Sequence, residues 1–142
     1  REGADGSEKV EFVKLDYDKL AADDPEEAAK FEGYDVGFCT LGTTRGKSGK
    51  EGFIKVDQTY TVAAANAAAS AKVGQFHLCS SRGASSSSFF LYPSVKGKSE
   101  EAISALPFAR TAIYRPAMLT YPPEGPRESR LGEKTVTLIL MS

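Results

Sequence analysis

Three short apolar runs, separated by segments that favour helix, limit the folds open to this sequence more than any other feature. The runs are Tyr34 to Leu41, Gln75 to Ser80 and Thr111 to Tyr114. They are continuous rather than alternating in apolar character, which is typical of strands covered on both faces, as in parallel sheets. The succession of strands and helices therefore predicts an α/β domain with a mainly parallel sheet.

The segments around these runs carry start and stop residues for helices. A short helix is predicted after the N-cap Asp24, and Gly33 closes it. A long alanine-rich helix is predicted over residues 58–72, with Asp57 as its N-cap. The last predicted helix runs from residue 89 or 92 to residue 105.

The remaining segments are predicted as one strand, two loops and a divergent end. Val10 to Leu15 is apolar enough for a strand, whereas Gly42 to Gly52 and Ser81 to Ser88 have the composition of loops. Thr135 to Met141 favours a strand, for which the sequence shows no partner. We therefore predict a partial domain over residues 1–120, followed by a linker and tail over residues 121–142.

Charge and composition exclude several kinds of partner. The 142 residues carry 18 lysines and arginines against 19 aspartates and glutamates, so no basic field exists to hold a nucleic-acid backbone. The longest stretch of small apolar residues, Val62 to Ala71, is shorter than the roughly 20 residues that span a bilayer. Cys39 and Cys79 form neither a disulfide framework nor a metal-binding spacing, so we expect a cytoplasmic protein.

The segment Gly42 to Ser48 has the composition of a phosphate-binding loop without its spacing. A loop that wraps a β-phosphate needs four residues between its glycines, and only three separate Gly42 from Gly46. The predicted helix also begins well after Lys47, whereas the lysine of such a loop opens its helix. A surface loop is the better interpretation.

Tyr92 and Lys96 form a more promising pair, because a spacing of four places them on one face of the predicted helix. A tyrosine has an ordinary pKa of about 10, and an adjacent ammonium helps it to act near neutral pH by stabilising the phenolate. Ser80 ends the preceding strand, at the edge where parallel sheets bind ligands, and could bond to a substrate carbonyl. Taken alone, a tyrosine and a lysine so spaced more often form a solvated helix surface.

Three longer stretches carry a more specific resemblance. They are YDVGFCTLGTTRGKSGKEGFIKVD (34–57), FHLCSSRGASSSSFFLYPSVKGKSEE (76–101) and IYRPAML (113–119). Across residues 34–119 the chain resembles the short-chain dehydrogenase/reductase superfamily, and within it the atypical subgroup of Tat-interacting oxidoreductases. The resemblance implies strands three to six of a Rossmann-like sheet, NADPH as cofactor, and a reaction between a carbonyl and an alcohol.

The resemblance also implies a role for each candidate residue. Tyr92 would donate and accept the proton, Lys96 would hold the nicotinamide ribose and stabilise the phenolate, and Ser80 would orient the carbonyl. Ser81 is the adjacent alternative to Ser80. Further residues would line the cofactor next to Tyr92 and Lys96, namely Leu41, Gly42 and the stretch Pro116 to Leu119.

The sequence departs from this family at several points. It has no glycine-rich dinucleotide fingerprint, and Val10 to Leu15 would be the third strand of the family, so the first two are missing. We expect a chain incomplete at both ends that binds NADPH poorly, with an unpaired, aggregation-prone edge at Tyr34 to Leu41. Where the family places an asparagine after its fourth strand, this sequence has Asp57.

Two interpretations of function follow. The first is an NADPH-dependent oxidoreductase for a small carbonyl or alcohol, which the retained Ser80, Tyr92 and Lys96 favour. The second is a non-catalytic NADPH-binding module that senses redox state and acts through protein partners, which the missing fingerprint favours. His77 has no cysteine or carboxylate at ligand spacing, so we expect a core or edge histidine and no metal site.

Overall fold

A four-stranded sheet organises the part of the chain that the structure describes, residues 12–117 and 138–141 of a computed structural model. The strands are β1 (Val36–Cys39), β2 (Gln75–Cys79), β3 (Arg110–Tyr114) and β4 (Leu138–Met141). Their order is β3-β2-β1-β4, with the first three parallel and β4 antiparallel to β1. The predicted α/β class and mainly parallel sheet are confirmed, and the arrangement is that of a partial Rossmann-like sheet.

Helices connect the strands. They are α1 (Tyr17–Ala21), α2 (Pro25–Ala29), α3 (Arg45–Ile54), α4 (Thr61–Ser70) and α5 (Leu91–Ser104). One turn of π-helix, Lys55–Tyr60, joins α3 directly to α4, and we call it the π turn. The predicted helices after Asp24 and near Tyr92 are confirmed, whereas α1 is a helix that the sequence patterns above do not predict.

Aspartates start the two short helices. Asp24 Oδ1 accepts hydrogen bonds from the amides of Glu26 (3.0 Å) and Glu27 (3.1 Å), as predicted for an N-cap. Asp16 caps α1 in the same way, through two amides of the first turn of that helix. The Glu27 carboxylate also accepts from the Asp16 amide (3.0 Å), so the two short helices are linked to each other.

An alanine-rich surface of α4 packs against the sheet. Ala64 and Ala68 are fully buried in a core cluster that also contains Phe76 and Leu78 of β2. Because alanine adds little volume, the helix lies close to the strands and removes their apolar side chains from water. This packing fixes the carboxyl ends of β1 and β2 relative to the helices that follow them.

The predicted strand Val10 to Leu15 is wrong in the part that the structure describes. Residues 12–16 have no regular secondary structure, and Val10 lies outside the described residues. The Lys14 carbonyl accepts a hydrogen bond from the Lys30 ammonium (3.0 Å) instead of joining a strand. Phe12 is 94% exposed, whereas Leu15 packs against the core without joining the sheet.

The loop predicted for Gly42 to Gly52 is wrong from Arg45 onward, where α3 begins. Thr44 occupies the N-cap position, and its carbonyl accepts from two amides of the first helical turn. Gly49 interrupts the helix with φ 68° and ψ −174°, a conformation that glycine adopts without steric penalty. The glycines therefore kink this helix rather than prevent it.

The prediction that Asp57 caps a helix is also wrong. Because the helical segment already begins at Arg45, Asp57 falls in the interior of the π turn. Its side chain is 1% exposed and faces the protein interior. An interior carboxylate needs a charged or polar partner, which the site described below provides.

The last described strand corrects two further expectations. β4 pairs with β1 in the register Val36 to Met141 and Cys39 to Leu138. The Asp35 amide extends the ladder by donating to the Met141 carbonyl (2.7 Å). The tail therefore has a strand partner, and the expected unpaired edge of β1 is covered.

The opposite face of the sheet carries an aromatic row. The rings of Phe38 and His77 stack with centroids 4.5 Å apart, and His77 stacks in turn on Tyr114 at 5.9 Å. His77 Nδ1 lies 3.0 Å from the Tyr114 hydroxyl oxygen, so this histidine has a structural partner.

In the described ranges, 12–117 and 138–141, no helix has the length and apolar character needed to cross a membrane.

Candidate active site

The candidate residues lie where the carboxyl ends of β1 and β2 meet α5. Parallel strands present these ends on one edge of the sheet, which is where α/β proteins bind ligands. Ser80 directly follows β2. Tyr92, Lys96 and Glu100 are spaced four residues apart along α5, and so lie along one side of that helix.

Ser80 is a buried polar side chain for which the described part of the chain provides no hydrogen-bond partner in good geometry. The residue is 7% exposed, and its Oγ makes no hydrogen bond to any residue in the described part of the chain. Its amide donates to the Tyr114 carbonyl (2.8 Å), which fixes the backbone beside β3. Because buried hydroxyls are nearly always bonded, this one is suited to a group from outside the chain.

Ser81 differs from Ser80 in its surroundings. It is partly exposed, and its Oγ lies 3.5 Å from the Arg82 carbonyl oxygen, at the outer limit of a hydrogen bond. Solvent can therefore satisfy this hydroxyl. Ser80 and Ser81, its adjacent alternative in the sequence, therefore occupy different environments.

Lys96 and Asp57 form a buried ion pair. The Lys96 ammonium lies 2.6 Å from Asp57 Oδ1, and the side chains are 10% and 1% exposed. Asp57 Oδ2 accepts a hydrogen bond from the Thr43 amide (2.8 Å), in the segment that follows β1. The pair thus joins α5 to the π turn and to the end of β1.

Two hydroxyls hold the π turn in the conformation that aims Asp57 at this lysine. Ser99 Oγ, on α5, lies 2.8 Å from the Asp57 carbonyl oxygen, and Thr61 Oγ1 donates to the Val56 carbonyl (3.1 Å). A π turn disturbs the regular i to i−4 ladder, so its carbonyls need such partners. Ser99 and Thr61 are both buried, which makes these bonds part of the folded core.

The predicted cofactor-lining residues fall into different surroundings. Gly42 is beside the ion pair, since a Cβ there would lie 3.4 Å from Asp57 Oδ1 and 3.7 Å from Lys96 Nζ. The Leu41 side chain is buried in the core. The Pro116 carbonyl accepts a hydrogen bond from the Arg82 amide (2.9 Å). Leu119 lies outside the described residues.

Tyr92 is held by an aromatic contact and open on the rest of its surface. Its ring stacks on Phe53 of α3, with centroids 5.4 Å apart and planes 18° from parallel. Phe53 is fully buried, whereas Tyr92 is 48% exposed. The structure therefore supports the phenol on one side and leaves it accessible to a ligand.

A second ion pair continues the row along α5. Arg115 donates to both carboxylate oxygens of Glu100, through Nε (3.0 Å) and through a terminal nitrogen. Burial acts to raise the pKa of Glu100, but Arg115, the Ser80 hydroxyl and the Lys96 ammonium together hold it below its usual range. The Ser80 hydroxyl therefore lies near enough to the Glu100 carboxylate to favour its charge.

The serine-rich loop between Ser80 and α5 is seated on a glycine. A Cβ on Gly97 would lie 2.2 Å from the Ser86 amide nitrogen, so the loop backbone touches the helix there. The Ser85 amide donates to the Pro93 carbonyl (3.0 Å). These contacts determine how the chain passes from Ser80 to Tyr92.

The structure thus brings Lys96, Gly42 and Asp57 into direct proximity and places Tyr92 one helical turn before Lys96. The two ion pairs are not predicted from the sequence. Repetition of Tyr92, Lys96 and Glu100 at intervals of four was a signal for the second pair, but nothing in the sequence indicated that Arg115 was its partner. The roles assigned to these residues remain predictions.

The cysteines add no reactive group to this region. Burial raises the pKa of the Cys39 thiol to about 11, although the Leu41 amide and the Lys96 ammonium favour its ionised form. Cys79 lies on the neighbouring strand with its side chain on the other face of the sheet, and both thiols are free. Within residues 12–117 and 138–141, no group of three or more metal-ligating side chains is positioned to hold an ion.

Comparison with known proteins identifies relatives that are similar to this chain in sequence. No family model matches the chain. It is 44% identical to Protein HTATIP2 of Rattus norvegicus over 126 residues, which is 89% of this chain and 47% of that protein. It is 46% identical over 99 residues to Protein FMP52, mitochondrial, of Meyerozyma guilliermondii, covering 69% of this chain and 41% of that protein.

A second fungal relative, Protein FMP52-2, mitochondrial, of Scheffersomyces stipitis, is 43% identical over 115 residues, or 80% of this chain and 49% of that protein. These matches confirm the resemblance stated from the sequence. The chain spans about half the length of the curated relatives it matches.

Proposed function

We propose that this chain carries the proton-transfer part of an NADPH-dependent oxidoreductase that interconverts a carbonyl and an alcohol. The observation that carries this proposal is the Ser80 hydroxyl, which is buried at the carboxyl edge of the sheet near Glu100 and meets no side chain or backbone group of residues 12–117 and 138–141 in hydrogen-bond geometry. A substrate carbonyl oxygen would supply that partner and would gain negative charge as it is reduced. A donor fixed in advance stabilises such charge without rearranging during the reaction.

The residues of this chain would divide the proton chemistry among them. Tyr92 would give its phenolic proton to the carbonyl oxygen in reduction and take it back in oxidation. Lys96 has three ammonium donors, of which Asp57 takes one, so others are available to the phenol and to a ribose. Ser80 would orient the carbonyl between them.

The surroundings of Lys96 fit the sugar end of a nicotinamide cofactor. Gly42 exposes bare backbone beside the ammonium, so a ribose could approach without meeting a side chain. When bound, NADPH would supply the hydride that accompanies the proton. We propose that the backbone of Leu41 and the stretch Pro116 to Leu119 complete this side of the cofactor site.

A second candidate function is a non-catalytic NADPH-binding module that acts through protein partners. It is favoured by Phe89 and Phe90, two adjacent phenylalanines that precede α5 and are 106% and 76% exposed. Exposed phenylalanines are depleted on surfaces that face only water and enriched where proteins meet. In this alternative, the same pocket would hold the cofactor without turnover.

The test compares Ser80→Ala with Ser81→Ala in the complete gene product. NADPH affinity is measured by fluorescence titration, turnover on a panel of aldehydes and ketones, and stability by urea unfolding. We expect Ser80→Ala to reduce turnover by roughly 10² to 10³. Because the Ser80 hydroxyl favours the Glu100 charge, Ser80→Ala should also lose a little stability at neutral pH.

The matched variant separates the two serines and the two functions. Ser81→Ala should leave turnover close to that of the parent protein. Equal losses in both variants, or a loss in Ser81→Ala alone, would remove Ser80 from its proposed role. A parent protein that binds NADPH and reduces no carbonyl would favour the non-catalytic module.

We further propose a cytoplasmic location. The printed names of the FMP52 relatives include the word mitochondrial, which gives the alternative. Fluorescence imaging of the tagged complete gene product beside a mitochondrial dye distinguishes the two compartments.

A further inference from the structure

We propose that Asp57 is a positioning residue, which holds the Lys96 ammonium at a fixed point beside Gly42 before any ligand arrives. This inference rests on the proposed function, because it assigns a task to a residue that would touch neither substrate nor cofactor. The residue that faces the Lys96 ammonium is a carboxylate, and the two form a buried ion pair.

The carboxylate is immobilised on both sides. Oδ2 accepts the Thr43 amide at 2.8 Å, while Oδ1 meets Lys96 Nζ at 2.6 Å. The backbone of Asp57 is fixed as well, since Ser99 Oγ lies 2.8 Å from its carbonyl oxygen. The Asp57 side chain is only 1% exposed, so water has little access to its carboxylate.

Burial restricts the conformations that the Lys96 side chain can adopt. Its side chain is 10% exposed, and its residue is buried on the face of α5 that meets the π turn. The charged and titratable groups that act on this region come from three elements: Asp57 from the π turn, Glu100 from α5 and Cys39 from β1. Cys39 is a thiol whose burial keeps it neutral, so Asp57 and Glu100 supply the negative charge.

Of the two carboxylates, Asp57 is the direct partner of Lys96. Glu100 is committed to Arg115, which contacts both of its oxygens. The site therefore contains two ion pairs, Asp57 with Lys96 and Glu100 with Arg115, and the division leaves each charge compensated. A neutral amide at position 57 would leave the buried ammonium without its counter-charge.

The consequence for the site is preorganisation. A flexible lysine loses rotamer freedom when it binds a ribose, and an ammonium already held in place loses less. Asp57 should therefore affect cofactor binding and turnover only through Lys96. This dependence is what distinguishes a positioning role from general stabilisation.

The experiment is a double-mutant cycle of Asp57→Asn and Lys96→Met in the complete gene product, with Asp18→Asn as the matched control. Asp18 also forms an aspartate–lysine pair, to Lys55 at 2.6 Å, but on the surface. The first readout needs no cofactor: the acylation rate of each lysine, measured by mass spectrometry on the folded protein. The second is NADPH affinity, together with turnover on the carbonyl panel.

We expect Asp57→Asn to speed acylation of Lys96 and to weaken NADPH binding by roughly 10- to 100-fold, the range found when outer partners of metal ligands are removed. Asp18→Asn should change neither quantity. In the Lys96→Met background, Asp57→Asn should cause no further loss of affinity. Losses that simply add in the double variant, or an unchanged Lys96 acylation rate in Asp57→Asn, would overturn the inference.

Two further provisions keep the test decisive. If the protein neither binds NADPH nor turns over, the proposed function fails, while the acylation rates still decide whether Asp57 holds Lys96. If Asp57→Asn does not fold, ¹⁵N-lysine spectra of the parent protein replace it. If solvent exchange broadens the ammonium signal of Lys96 as much as that of Lys55, the fixed ion pair is refuted. A Lys96 signal sharper than that of Lys55 would support it.

Discussion

Gly97 of α5 lies so close to Ser86 that a Cβ on the glycine would be 2.2 Å from the Ser86 amide nitrogen. The atom it would meet belongs to the backbone, so no side-chain rotation can relieve the contact. The loop between Ser80 and Tyr92 is therefore seated on the helix by the absence of a methyl group.

Gly97→Ala should consequently displace this loop and destabilise the protein by about 1–3 kcal/mol. Gly46→Ala is the matched control, because Gly46 also lies in a helix and a Cβ there would meet nothing within 4 Å. That control should stabilise by roughly 0.5–1 kcal/mol, since alanine favours helix over glycine. Urea unfolding of both variants measures the difference, and equal stability would contradict the contact.

Tyr92→Phe should abolish most turnover and leave NADPH binding nearly unchanged. The substitution removes the hydroxyl while keeping the ring that stacks on Phe53. Loss of a general acid commonly lowers the rate by roughly 10² to 10⁴. Turnover on the carbonyl panel and fluorescence titration of NADPH measure the two effects; an unchanged rate would remove Tyr92 from the proposed chemistry.

Glu100 should make the stability of the protein depend on pH through Arg115. The pKa of Glu100 is held below its usual range, because Arg115 and its other partners outweigh the effect of burial. A carboxyl whose pKa is lower when folded stabilises the fold above its unfolded pKa, and this contribution disappears as pH falls through the folded value. Arg115→Gln should therefore lose stability at neutral pH and converge with the parent protein in acid.

Urea unfolding at a series of pH values from neutral to strongly acidic tests this sign. Arg110→Gln, at an exposed position at the start of β3, serves as the control and should follow the parent curve. A constant difference between Arg115→Gln and the parent protein at every pH would show that Arg115 stabilises by packing instead of charge.

Cys39 should resist alkylation until the protein unfolds. Its thiol is fully buried, and burial raises its pKa to about 11, so little of the reactive thiolate is present near neutral pH. Iodoacetamide labelling followed by mass spectrometry, with and without urea, measures this directly. Rapid labelling of Cys39 in the native protein would contradict its position in the core.

Much of the fold follows from local sequence. The apolar runs predicted β1, β2 and β3, and the Asp24 cap predicted α2, because these signals act within a few residues. α3 escaped prediction because its several glycines have low helix propensity, and tertiary contacts overrode that preference. The pairing of β4 escaped it because register between distant segments leaves no local mark.

The candidate site shows the same division. Ser80, Tyr92 and Lys96 could be found by spacing and by resemblance, since they occupy one strand end and one helix. Asp57 was assigned to a helix cap because aspartate before an alanine-rich run usually has that task. Only the three-dimensional fold shows that the helix begins earlier and that this carboxylate meets Lys96 instead.

The ladder between β1 and β4 sets the order in which the sheet can be completed. β1 ends at Cys39, but its antiparallel partner begins only at Leu138, which follows both β2 and β3 along the chain. Contacts between such distant segments form slowly, because the intervening chain must first be brought together at a cost in entropy. We therefore expect the β1–β4 ladder to form late, and a chain that lacks β4 to expose an edge of β1 that can pair with other molecules.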